Sequence, residues 1–322
     1  MLPTIKSLKP GDLAGKRVWL RVDWNVAVKD NQVVEPYRIE RTRETIEYLQ
    51  QAGAKIILGT HLSEAGADLA PIIAYAKNIM HLEEVKILPN LRTFSGEESN
   101  SGELAREWAS EADIYVNEAF AVSHREHTSI VGLPKLLPHY AGCNFTKEVE
   151  MLSRCFEPVH PALLVVGGAK LESKKPVIDK FKPIVDKILI GGKLVYDFLN
   201  TTDPQIVMSK ELVKDGDPPD GEAGKIFDVV ITDEIKELVK NSKRIIWAGP
   251  MGMYDAGYPQ GTVDLAQAVA QSEAESIVGG GDTIAAIPAN LLSKFTFVST
   301  GGGAMLQFLA TGTLPGVEAL KK

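Results

Sequence analysis

Cysteine is scarce: Cys143 and Cys155 are the only two in 322 residues, enough for one bridge at most. A disulfide scaffold is thereby excluded, and a reducing compartment is the simpler expectation. No apolar run approaches the roughly 18 to 20 residues needed to cross a bilayer, and the opening MLPTIKSLKPGDL lacks the apolar core of a secretory leader. The chain is therefore expected in the cytoplasm. Positive charge is not in excess either: Lys+Arg 35 against Asp+Glu 42 leaves a formal net charge of -7. That balance opposes general attraction to nucleic acid or an anionic membrane, so any anionic ligand must be captured by a local patch. Neither G-x-x-x-x-G-K-S/T nor G-x-G-x-x-G occurs, which excludes the P-loop and the dinucleotide fingerprint.

What is present is an ordinary globular composition, 44% hydrophobic and 24% charged, in a chain about twice the common domain length. Two domains are expected. Short Val, Ile and Leu runs alternate with helical patterns, as strands buried on both faces of a parallel sheet require. The runs are KRVWLRV, AKIILGT, VKIL, DIYVN, ALLVV, KILI, FDVVI, RIIWAG, ESIV and FTFVST, with RETIEYLQQA and TVDLAQAVAQ among the helical segments. The class is α/β. Phe145, Val149, Leu152 and Phe156 form one apolar stripe at helical spacing; we read it as an inter-domain connector, and periodicity alone leaves open another sheet-covering helix. KDGDPPDGEAGK, residues 214–225, reads as a loop.

The halves differ. Nineteen of 28 glycines follow residue 150, whereas eight of ten arginines and five of six histidines precede it. Arginine forks suit carboxylates and phosphates, and glycine lets backbone amides approach a polyphosphate. A basic lobe for a compact anion and a Gly-rich lobe for a nucleotide are expected. Four Gly-rich turns follow strands: Gly167-Gly168 before Lys170, Gly191-Gly192, Gly279-Gly280-Gly281 before Asp282, and Gly301-Gly302-Gly303. At the carboxyl edge of a parallel sheet, each would open a helix toward a phosphate. Lys170 and Lys174, four apart, face one way if a helix starts at the glycine pair, either toward phosphates or as a solvated basic face. Asp282 suits a Mg²⁺ ligand or a helix N-cap.

In the first half, Arg21 and Asp23 end a buried run and Asn25 follows, so each is a ligand candidate. Arg38, His61, Arg92 and the group His124, Arg125 and His127 also fall at or near run ends. The histidine spacing fits a metal pair, but the arginine company fits anion binding better.

These segments together resemble the phosphoglycerate kinase family over nearly the whole chain and in order. RVDWNV is similar to the family's RVDFNV, YRIERT to its TRI segment, THLSEAG to SHLGRP, and YVNEAFAVSHREHTSIVG to VNDAFGTAHRAHAS-VG. GGAKLESK, AGPMGMYD, GGGDTIAA, STGGGAMLQFL and LPGVEAL complete the series. The resemblance implies two Rossmann-like, three-layer α/β/α parallel-sheet domains. A substrate domain would span 1–144, a hinge helix 145–156 and a nucleotide domain 157–311, with the tail 312–322 packing back on the first domain. It implies reversible transfer of a phosphoryl group from 1,3-bisphosphoglycerate to ADP, giving 3-phosphoglycerate and ATP, with Mg²⁺, in a monomer whose partners are small molecules.

Carried over by motif, Arg21, Asp23, Asn25, Arg38, His61, Arg92 and Arg125 would hold the three-carbon substrate. Gly168, Lys170, Lys174, Gly191, Gly192, Pro250, Asp255, Gly279, Gly280, Gly281, Asp282 and Thr283 would hold the nucleotide, and Asp282 the metal. Arg38, Lys170 and the amides of Gly301, Gly302 and Gly303 would stabilise the moving group. Phosphoryl transfer needs positioning and cations more than a base, and the acceptors are already ionised at neutral pH.

The chain also departs from the family. Glu64 stands where the family has arginine, which at about 6 Å and an effective dielectric of 20 exchanges roughly 3 kcal/mol of attraction for repulsion. Ala248 replaces asparagine, Asp255 replaces glutamate, and GGKLVYDF replaces GGGMAYTF. The stretch between Leu199 and Phe227 is much shorter, and the family's DIGPKT motif is missing. Two further readings therefore stay open: a non-catalytic relative that binds ligands or partners, and a kinase for another small carboxylate.

Overall fold

A computed structural model describes residues 2–34, 36–64, 66–214 and 226–321. Of the stretch read as a loop, 215–225 lies outside the described residues, and Lys214 ends a short strand. The chain divides into two compact units, Met1–Glu150 with Thr313–Lys322, and Met151–Gly312.

In the first unit, Arg17–Val22 (β1), Lys55–Gly59 (β2), Lys86–Ile87 (β3), Ile114–Glu118 (β4) and His139–Ala141 (β5) form one sheet. Its order is β3-β2-β1-β4-β5, wholly parallel. Alternation along β1 explains its continuous apolar run. Val18, Leu20 and Val22 pack with Ile46 and Leu49 of the helix Arg43–Gln51. Trp19 points to the other face, 5.3 Å by ring centre from Trp108 of the helix Gly102–Ser110 and 6.0 Å from Tyr115. With helices on both faces, polar groups are excluded except where strands end. The chain leaves β1 for β2 and β3, then returns to β4 on the other side, so a crevice opens beyond the carboxyl ends of β1 and β4.

The second unit repeats this logic. Ala162–Val166 (β6), Lys187–Ile190 (β7), Ile206–Met208 (β8), Arg244–Ala248 (β9), Glu275–Gly279 (β10) and Phe297–Ser299 (β11) lie in the order β8-β7-β6-β9-β10-β11, again all parallel. One expected sheet strand is placed differently. Ile226–Val229 pairs antiparallel with Leu212–Lys214 in a separate ribbon. Its Asp228 explains why: the buried carboxylate accepts from the Gly261 N–H at 2.9 Å, at the start of the helix Gln260–Gln271, a partner no two-sided sheet core would supply.

The predicted connector is the helix Cys143–Arg154, and the unit boundary falls inside it, after Glu150. Phe156 lies beyond the helix rather than on its stripe, with its ring 5.3 Å from that of Phe181. A buried carboxyl and a buried guanidinium cap the two ends. At the N-terminus, Glu118 accepts from the N–H groups of Asn144 (3.0 Å) and Phe145 (2.9 Å) and from the Thr45 hydroxyl (2.6 Å), while Cys143 N–H donates to Thr45 Oγ1 at 2.8 Å. Burial pushes the Glu118 carboxyl up to about 7, against the pull of these hydrogen bonds. At the C-terminus, Arg244 Nη1 donates to the carbonyls of Arg154 (2.5 Å) and Glu157 (2.8 Å), and its other nitrogens reach Glu275. Carboxylate at the N-terminus and guanidinium at the C-terminus match the helix dipole. The returning tail joins the first unit through Gly316, whose N–H donates to Ser123 O at 2.8 Å.

Gly142 precedes this helix, and a Cβ there would sit 2.2 Å from Glu118 Oε2. Gly142→Ala is expected to destabilise the first unit by about 1 to 3 kcal/mol, read as a lower urea midpoint. Gly11→Ala, where a Cβ meets nothing within 4 Å, is the control. Equal midpoints for the two variants would refute the capping role.

Candidate active site

Three strands of the second unit end in glycine turns that touch backbone to backbone. A Cβ at Gly167 would lie 2.1 Å from Pro250 O, one at Gly249 2.2 Å from Gly167 O, and one at Gly192 2.6 Å from Gly168 N. Only residues without side chains fit. Hydrogen bonds fix the same contact: Gly168 N–H donates to Pro250 O, Gly192 N–H to Met251 O and Gly191 N–H to Val166 O. This corrects the expectation that every glycine turn offers its amides to a ligand, because these three are engaged within the protein. Gly301 N–H is also engaged, by Ser299 Oγ at 3.0 Å. The turns at Gly281 and Gly303 differ. A Cβ at either would meet nothing within 4 Å, and the helices Gly281–Ala286 and Gly303–Thr311 begin there.

Around these turns lies a cleft of about 340 Å³, lined by Lys170, Ser173, Lys174, Asp282, Thr283 and Gly303 among others. A second cleft of about 300 Å³ adjoins it, shares Gly168, Pro250 and Asp282, and adds Lys193, Tyr254 and Asp255. Lys170 precedes the helix Leu171–Phe181 in an extended conformation, φ -113° and ψ 103°. The helical-face argument for Lys170 and Lys174 therefore fails, although both line the cleft. Burial pushes the Lys174 ammonium down to about 8, with Asp282 pulling the other way. Thr283 is fully buried, and its hydroxyl accepts from Gly249 N–H at 3.0 Å, so it ties two turns together.

In the first unit, the crevice beyond β1 and β4 holds a polar network. Arg38 Nη1 donates to Asp23 Oδ2 and to Asn25 O, both at 3.2 Å. His61 Nδ1 lies 3.8 Å from Asp23 Oδ1 and 3.3 Å from Arg21 Nη2. Burial pushes His61 down to about 3, and Arg21 pushes the same way. Burial likewise takes His127 down to about 4, reinforced by Arg92, Arg21 and Arg125. Both imidazoles are neutral at pH 7, leaving the arginines as the cations. Arg92 pairs with Glu98, and its buried Nε has no partner among the described residues. Arg125 is exposed beside His124, 3.5 Å from its Nε2.

Arg21 corrects its sequence reading. It is 1% exposed, and its guanidinium serves Ser129 Oγ (2.8 Å), Val22 O (2.5 Å) and His61. It supports the crevice from beneath. Several members were not foreseen. Glu97 is buried and accepts from Ser129 N–H (2.9 Å) and Oγ (2.5 Å). Asn90 Oδ1 accepts from Leu62 N–H and Arg92 N–H, and its amide donates to Glu64 O at 3.0 Å. Ser63 pairs with the Asn25 amide, giving its N–H to Oδ1 at 3.1 Å and accepting from Nδ2 at 3.0 Å. The Pro-Asn-Leu-Arg run carried a usable turn signal for Asn90; nothing local marked Glu97 or Ser129.

The sequence pattern of the family described as phosphoglycerate kinase matches residues 8–79, 71–219 and 221–312. Phosphoglycerate kinase from Leptospira biflexa serovar Patoc is 34% identical over 385 aligned positions that cover 97% of each chain. Since 385 positions exceed the 322 residues present, the alignment carries gaps, as the shortened segments require. Among solved structures, phosphoglycerate kinase from Coxiella burnetii is 29% identical with a TM-score of 0.81, covering 99% of both chains. That from Pyrococcus horikoshii is 26% identical with a TM-score of 0.84, covering 99% of this chain and 98% of its own. Matched along nearly its full length in sequence and in both parallel sheets, the chain belongs to the phosphoglycerate kinase family.

Proposed function

We propose that the chain moves a phosphoryl group reversibly between the acyl phosphate of 1,3-bisphosphoglycerate and ADP. The observation that carries this reading is the pair of adjoining clefts in the second unit, with two lysines, one aspartate and two open glycine turns, in a member of this family. An oxygen of the ADP β-phosphate attacks phosphorus, the bond to the acyl oxygen breaks, and 3-phosphoglycerate leaves as a carboxylate. Neither nucleophile nor leaving group requires a proton at neutral pH, so the chemistry calls for cations and oriented amides.

In this reading Lys170 and the amides at Gly302 and Gly303 meet the transferring group, and Lys174 and the amides at Gly281 meet the rest of the phosphate chain. Asp255 holds the ribose. Gly168, Gly191, Gly192 and Thr283 act by fixing the turns. A magnesium ion fits the donor set, since Asp282 lines both clefts and Mg²⁺ commonly takes one or two carboxylates with nucleotide phosphates and water. When bound, it would draw charge from the phosphate oxygens. The three-carbon substrate falls to Asp23, Asn25, Arg38, His61, Arg92 and Arg125, with Arg38 also steadying the reacting phosphoryl group. Asp23 orients Arg38, and the two neutral histidines donate hydrogen bonds without adding charge. The unpaired thiols of Cys143 and Cys155 suit a cytoplasmic setting.

ATP formation from ADP and 1,3-bisphosphoglycerate tests the reading directly; folded protein without turnover would overturn it and favour a ligand-binding relative. Lys170→Ala is expected to lower kcat by about 10² to 10³, the usual loss for one group aimed at developing charge, with an unchanged melting temperature. Unaltered kcat would remove Lys170 from the mechanism. Lys174 supplies a pH test. Its ammonium is charged below about 8 and neutral above, so the KM for ADP should rise as pH is raised from 7 to 9. Lys174→Arg should hold that profile flat, since guanidinium stays charged. A wild-type KM that does not move over this interval would exclude the contact.

A further inference from the structure

The two clefts of the second unit divide their charges in a telling way. Lys170 and Lys174 line only the first, whereas Lys193 and Asp255 line only the second. A polyphosphate follows the lysine pair, which leaves the second cleft, about 300 Å³, for the nucleoside. Pockets of that size are large enough for such a ligand. Lys193 is held there by the backbone. It follows Gly192, whose φ of +61° and N–H bond to Met251 O fix the turn, so the side chain leaves from a set position. It is half-buried and enters no ion pair among the described residues. The similar family segment, GGGMAYTF, has glycine here, so the donor belongs to this chain's GGKLVYDF.

An ammonium group only donates, and a carboxylate only accepts. Asp255 therefore suits the hydroxyls of a ribose, the common partner of an acidic side chain in nucleotide clefts. Lys193 requires acceptors. Guanine and hypoxanthine present O6 and N7 side by side, two acceptors that a lysine can share. Adenine presents N7 beside the N6 amine, a donor that an ammonium repels. We propose that Lys193 reads the base of the bound nucleoside diphosphate and favours 6-oxopurines over adenine. The inference rests on the nucleotide-site half of the reading above and names its base specificity.

Calorimetric titration of the full chain with the Mg²⁺ complexes of ADP, GDP and IDP tests it, using wild type, Lys193→Met and Lys193→Arg. Wild type is expected to bind GDP and IDP more tightly than ADP. In Lys193→Met the two 6-oxopurine nucleotides should weaken about tenfold more than ADP, and Lys193→Arg should keep the wild-type ranking. Equal weakening of all three would assign Lys193 to ribose or phosphate and overturn the inference. No change in any of them, or wild-type binding of ADP at least as tight as that of GDP and IDP, would do the same. Turnover is read separately: the predicted ranking without ATP formation would sustain base reading and refute catalysis, and catalysis with a ranking indifferent to Lys193 would do the reverse.

Discussion

Close approach of bare backbone governs the second unit. With Gly167 packed against Gly249 and Gly192 against Gly168, the turns that end β6, β7 and β9 are held at a spacing no side chain permits. Every other feature of the clefts follows from that constraint. The engaged amides of Gly168, Gly191 and Gly192 brace the turns, Thr283 bolts the Gly249 turn to the neighbouring helix, and the open turns at Gly281 and Gly303 face the space so created. Glycine thus has two separate settings in one site, close backbone packing in the first group and open space in the second, where the proposed ligand would approach. Lysines placed on such a rigid floor need little reorganisation when charge develops above them.

The first unit reaches a similar end by other means. Its crevice is assembled from side chains, and burial sets their charge states. Removing His61 and His127 from water leaves both imidazoles neutral, so adding them to an arginine cluster costs no extra repulsion. Arg21 is retained beneath the crevice because Ser129, Val22 O and His61 satisfy its donors, and Glu97, hydrogen-bonded to the same Ser129, balances its charge. A buried guanidinium without such partners would be strongly destabilising. Four arginines, Arg21, Arg38, Arg92 and Arg125, face three nearby carboxylates, Asp23, Glu97 and Glu98, so the cluster is close to neutral before a ligand arrives.

Nine of the ten apolar runs become sheet strands because two-sided burial writes itself as continuous apolar residues; the edge strands His139–Ala141 and Ile206–Met208 lie in no such run, and Ile226–Val229 stands outside the sheets because Asp228 finds its partner in a helix remote in sequence. The cleft-facing motifs were legible because glycines cluster where strands end. What remained hidden is the partition between packing and binding. Gly168 and Gly281 look alike in sequence, and only the approach of Pro250 to the first distinguishes them. Glu97 and Ser129 were hidden for a related reason: 32 residues separate them, and their pairing depends on how the loop after β3 meets the segment after β4. The connector helix was read from its stripe, yet its capping charges come from Glu118 and Arg244, one from each unit's sheet.

Glu64 shows how exposure changes a charge argument. Read in sequence, a carboxylate in place of arginine beside an anion site implies repulsion of several kcal/mol. In the folded chain Asn90 and Ser63 pin the backbone of that loop, while the Glu64 side chain is exposed. Water and salt screen an exposed charge far more than a buried one, so the penalty shrinks to the scale of a surface ion pair. In the proposed substrate site, Arg92, with a buried Nε that has no partner among the described residues, and Arg38, hydrogen-bonded to Asp23, are cations that remain for the anion. If Arg92 holds the three-carbon anion as proposed, affinity would depend on how readily Glu98 releases it, a competition between two carboxylates for one guanidinium.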